Sequence, residues 1–120
     1  MLEETLTAKL KTITPQVYPV KAPEDAQGAQ LIYQLVGADR LTHLDGPGGL
    51  AIMDFRVDCY DLTYAETVTL ARAVLTACNG WKEGPVLYCS VDNDIDFGAE
   101  ADEDGYYRRS MELRITYLES

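Results

Sequence analysis

AIMDFRVDCY, residues 51–60, decides how this chain folds. Ala51, Met53, Phe55, Val57 and Cys59 are apolar or small, while Asp54, Arg56 and Asp58 stand between them. A period of two sends these sets to opposite faces of a strand. One face is therefore buried and the other wet, the pattern of an antiparallel sheet rather than a parallel sheet covered on both sides.

Working outward, LIYQLV (31–36) predicts a second strand, bent at Gly37 and resumed through residues 41–44. Between the two runs lies HLDGPGG, residues 43–49. It lacks the Lys-Ser/Thr of a phosphate-binding P-loop and does not open a helix, as a dinucleotide fingerprint must. Asp-Gly and Gly-Gly instead supply the positive φ angles that a hairpin connection needs.

On the other side, Thr63-Tyr-Ala-Glu66 is a capping box. The helix it starts runs to Cys78 with Val68, Ala71, Val74, Leu75 and Cys78 as its apolar stripe, and Asn79-Gly80 stops it. VLYCSV (86–91) is a further strand. Tyr107, Arg109, Met111, Leu113, Ile115 and Tyr117 alternate with Arg108, Ser110, Glu112, Arg114 and Thr116 along a long final one. Leu2, Leu6, Leu10 and Ile13 recur at helical spacing before Thr14-Pro15, and residues 16–29 carry no sustained period. The expectation is one α+β domain over residues 1–120, an antiparallel sheet of about four strands with two helices packed on one face.

The chain has 20 acids against 10 bases in 120 residues. Seven of the acids, Asp92, Asp94, Asp96, Glu100, Asp102, Glu103 and Asp104, form one run without a base, leaving 13 against 10 elsewhere. That balance argues against gripping DNA, which needs Lys and Arg gathered on a face. No apolar run approaches the roughly 20 residues of a membrane span, and the polar start does not resemble a signal peptide, so synthesis in a cytoplasm is expected. Cys59, Cys78 and Cys89 sit in apolar contexts and read as buried thiols.

Candidate chemistry is thin. Asp92, Asp94, Asp96 and Glu103 match positions one, three, five and twelve of a calcium loop, but Phe97 occupies the position that needs glycine. A small calcium-binding module on Asp92–Glu103 is the competing reading from another class. His43 and Asp45 lie close in sequence, yet the available serines, Ser90 and Ser110, fall inside predicted strands. Tyr106-Tyr107-Arg108-Arg109 suggests base stacking until alternation divides it between two faces. Arg109 is expected on the core side, paired with an acid of the adjoining loop. The expectation is a protein that is not an enzyme and takes no cofactor or metal.

Five short motifs recur in one order: Val17-Tyr18-Pro19 after the first helix; Thr42, Leu44, Asp45 and Gly46; Arg56, Val57, Asp58 and Tyr60; Thr63 to Glu66; and Tyr107 to Ser110. In this the chain resembles the tail-completion family of long-tailed phages, also described as tail terminators or tail-to-head joining proteins. The resemblance implies a structural assembly protein, a homo-oligomer forming a ring, commonly hexameric, that caps the tail tube. Its implied partners are the major tail tube protein and the head–tail connector protein. The implied place is the virion, at the head–tail junction, with DNA passing through unbound and no membrane involved. Two loops are expected to make subunit contacts: the hairpin tip Asp45, Gly46, Pro47, Gly48, Gly49, and the acidic loop with Asp92, Asp94, Asp96, Glu100, Asp102, Glu103 and Asp104. Another connector or tail component is the nearest alternative; a tube subunit needs long β-hairpins, which the predicted strands are too short to supply.

Overall fold

The computed structural model describes residues 2–20, 28–41, 50–96 and 105–118. The elements follow in the order α1 (Leu2–Lys11), β1 (Val17–Pro19), β2 (Gln30–Leu41), β3 (Leu50–Asp61), α2 (Tyr64–Cys78), β4 (Val86–Asp96) and β5 (Tyr107–Leu118). Five strands form one sheet in the order β1-β2-β3-β5-β4. The α+β class and the two helices agree with the sequence reading. The sheet has one strand more than expected, and that strand is parallel: Val17–Pro19 runs alongside Leu31–Tyr33. The other three pairings are antiparallel.

β3 sits at the centre, paired on both sides. Its apolar set, Ala51, Met53, Phe55, Val57 and Cys59, is buried, and the partner strands β2 and β5 place Leu31, Tyr33, Met111, Leu113 and Ile115 beside it. Phe55 is wholly buried and meets the Tyr33 ring edge-on, with centroids 6.3 Å apart. Two helices cover this layer. α2 turns Thr67, Leu70, Ala71, Val74 and Cys78 inward, and α1 turns in Leu2, Leu6 and Leu10. Thr7 in the middle of α1 donates its hydroxyl proton to the Tyr33 oxygen at 2.9 Å, fixing the helix against β2.

The ends of α2 follow the local chemistry. Thr63 is extended (φ −129°, ψ 154°), and its hydroxyl accepts from the Glu66 amide at 3.1 Å. At the far end Gly80 takes φ +81°, the left-handed conformation that turns the chain out of the helix without a Cβ penalty.

Strand lengths depart from expectation. β2 does not break and resume; it runs unbroken through a bulge between Leu35 and Gly37, which absorbs the bend and keeps both halves paired to β3. β4 continues through Asp96, so Asp92, Asp94 and Asp96 belong to a strand and not to a loop. Asp-rich sequence has low strand propensity, and the pairing with β5 overrides it.

Candidate assembly surfaces

The strand register fixes where the two expected contact regions lie. β2 and β3 meet at Leu41 and Leu50, and this pair marks the end from which the hairpin tip departs. β3 closes at Asp61 opposite Tyr107, and β4 closes at Asp96 opposite Arg109, the end from which the acidic segment departs. The twelve residues of β3 separate these ends by about 36 Å at the usual rise per strand residue. Asp45, Gly46, Pro47, Gly48 and Gly49, and likewise Glu100, Asp102, Glu103 and Asp104, lie outside the described residues, as does His43.

Asp92 and Asp94 do not converge. Asp92 occupies the second bulge of β4, accepts from the Ser90 hydroxyl at 2.6 Å, and lies 3.7 Å from Arg114. Asp94 is gripped from the other face of the sheet by Arg109, Nε to Oδ1 at 2.7 Å and Nη2 to Oδ2 at 3.0 Å. A calcium loop needs these carboxylates aimed at one point. The described geometry turns Asp92 and Asp94 apart and gives each an arginine; the Asp96 side chain and Glu103 lie outside the described residues. The same bidentate pair places Arg109 as expected, on the core side and bonded to an acid.

The face of the sheet opposite the helices is polar. Arg114 donates to Asp54 at 3.0 Å, Arg56 to Gln34 at 3.0 Å, and Arg108 approaches Asp58 at 3.4 Å. Asp58, though mostly buried, lies between Arg108 and Arg56, whose Nε is 3.8 Å away. Such half-exposed pairs contribute little to stability. Arg114 pairs with Asp54, while Arg56 and Arg108 share the single carboxylate of Asp58 on the same face. Tyr106–Arg109 is divided as alternation predicts, and Tyr106 has a structural task. Its hydroxyl accepts from the Gly28 amide at 3.2 Å and from Gln30 at 3.1 Å, tying the start of β2 to β5.

Sequence reasoning missed the treatment of the β4 edge. The turn after α2 lies along it: the Gly80 amide donates to the Cys89 carbonyl at 2.7 Å, the Val91 amide donates to the Asn79 side chain at 3.2 Å, and Glu83 and Val86 exchange both backbone bonds. Asn79-Gly80 therefore stops a helix and caps a strand at once. Only the first role has a local sequence signature.

Nucleophiles are withheld. Cys59, Cys78 and Cys89 are buried free thiols. Burial pushes Cys78 up to about 11 and Cys89 to about 12, and raises Cys59 as well, with Asp58 adding to the effect there. All three stay protonated at neutral pH, the unreactive form. Ser110 is buried within β5, and Ser90 is engaged with Asp92. Among the described residues no helix is long and apolar enough to cross a membrane.

No family model matches the chain, and no curated protein matches it. Among solved structures it is similar to a chain of one described as the virion of a native gene transfer agent (GTA) particle. The two are 17% identical over 95% of each chain, with a TM-score of 0.64. At that identity the likeness establishes a shared fold along nearly the whole length.

Proposed function

We propose that this chain is a structural component of a phage-like virion, and more narrowly a tail-completion protein that caps the tail tube and joins it to the head connector as a ring, commonly of six. The observation that carries this reading is the likeness in fold, over 95% of both chains, to a component of a gene transfer agent virion. The ordered motifs from Val17-Tyr18-Pro19 to Tyr107–Ser110 supply the narrower family.

A ring needs head-to-tail contacts between unlike patches of neighbouring copies. The hairpin tip and the acidic segment depart from opposite ends of the sheet, about 36 Å apart along β3. With the strands along the ring axis, the sheet end from which the tip departs faces one neighbouring layer and the end from which the acidic segment departs faces the other, as a joint between tail and head requires. The arginine–carboxylate pairs on the open face of the sheet and the net charge of −10 suit a passage through which DNA moves without adhering.

A second reading is favoured by one observation. β2 and β3 are each twelve residues long and form the kind of hairpin a tail tube subunit needs. Strand length therefore no longer sets that alternative aside.

Deleting Pro47-Gly48-Gly49 tests the role of the tip. Circular dichroism and thermal melting are expected to stay unchanged, while joining of heads to tails in a complementation assay falls at least tenfold. Normal joining by the deletion variant removes the tip from the account.

A further inference from the structure

α2 carries two charged side chains, Glu66 and Arg72. Arg72 is exposed, and among the described residues it has no hydrogen bond or ion pair. Thr67, Leu70, Ala71, Val74 and Cys78 mark the inner side of the helix. At roughly 100° per residue, Arg72 lies about 145° from their mean direction and points away from the sheet.

The open face of the sheet holds the opposite charge in the same condition. There Asp54, Asp58 and Asp92 are engaged with arginines. Glu112 is exposed and has no such partner among the described residues. Arg56 stands across the ladder from it, but donates to Gln34 and lies beside Asp58. One copy thus shows an unmatched cation on its helix side and an unmatched anion on its sheet side.

The two charges lie at one level along the strands. Tyr64, at the start of α2, meets the Tyr107 ring with centroids 6.2 Å apart. Beyond the far end, the Gly80 amide donates to Cys89, whose ladder partner is Ile115. Arg72 is eight residues from both Tyr64 and Gly80. That is roughly 12 Å of helix, or about four strand residues. Counting up from Tyr107 or down from Ile115 gives the same level, that of Met111, one residue from Glu112.

We propose that α2 of one copy packs on the open face of the next copy, over β5, with Arg72 paired to Glu112. The contact rests on the ring reading above and names its interface. A ring turns each copy about its axis without raising it, so groups at one level in a copy stay level between neighbours when the strands follow that axis. A second copy is the occupant because it presents the complementary charge at the matching height. Helix side against sheet side is also a union of unlike patches, as a closed ring requires. Val68 and Leu75, about one turn to either side of Arg72, fall toward the methylene stems of Arg108 and Arg114. The contact covers β5 and leaves the β2 side of the face toward the passage.

Size exclusion with light scattering on the full chain, at hundreds of micromolar, tests the pair by exchanging its charges. The wild type is expected as an assembly larger than a dimer. Arg72→Glu and Glu112→Arg each set like charges together and lose that assembly. The double variant regains it, as does an equal mixture of the two single variants, while Glu66→Lys on another side of α2 retains it. A wild type no larger than a dimer, a folded single variant that assembles normally, or a loss that neither combination restores overturns the proposal. Electron microscopy with tail tubes separates this from the capping role. Capped tubes from a chain that is monomeric in solution remove the contact alone, and a charge-sensitive assembly that leaves tubes bare removes the capping role alone.

Discussion

Replacing Phe55 with alanine is expected to lower stability by about 3–5 kcal/mol, the range for truncating a buried aromatic. Phe55 lies on the central strand, is 0% exposed, and stands between Leu35 of β2 and Leu113 of β5 with the Tyr33 ring against its edge. The cavity cannot collapse easily, because the residues around it are fixed by pairing on both sides of β3. Domains of this size hold about 5–15 kcal/mol in total, so the loss is a large share. The melting temperature should fall by on the order of 10–20 °C. Leu118→Ala, at an exposed position near the end of β5, should shift it by no more than a degree or two. A shift for Phe55→Ala as small as that of Leu118→Ala would mean that the centre of the core lies elsewhere.

Trp81 should separate packing from hydrogen bonding. It is 5% exposed, and the Lys9 ammonium stands 5.5 Å from its ring, yet its indole Nε1 is buried without a partner among the described residues. Trp81→Ala removes the ring and is expected to cost about 3–5 kcal/mol. Trp81→Phe keeps an aromatic surface for the core and for Lys9 while deleting an N–H that gains nothing in the folded state. It should therefore cost under about 1.5 kcal/mol. Urea titration followed by far-UV circular dichroism reads both, since Trp81 is the sole tryptophan and fluorescence is lost with it. Equal losses in the two variants would show that Nε1 has a partner in solution.

The elements legible in the sequence are those whose neighbours impose a strong contrast. AIMDFRVDCY alternates because helices cover one face of β3 and solvent meets the other, and the capping box of α2 is a local bond between Thr63 and Glu66. β1 left no such trace. It is three residues long, includes Pro19, and is a strand by virtue of the neighbouring β2. The bulge at Val36 interrupts the alternation of β2, which made one strand read as two pieces. The extension of β4 through Asp96 was hidden because carboxylates disfavour strands, and it depends on Arg109 and Arg114, residues that reach it from β5.

The contact regions were half legible. Composition located the acidic run and the glycine tip, but only the register reveals that they depart from opposite ends of one sheet. The acids also divide into two groups, because Asp92 and Asp94 are committed to arginines within the fold. The capped β4 edge had no sequence signature, since it depends on which strand ends up outermost.

Cryo-electron microscopy of the purified protein mixed with preformed tail tubes tests the proposed capping role most directly. The account predicts a ring of added density at one end of each tube and none along its length. Tubes that remain bare, or protein incorporated along the tube, would contradict it.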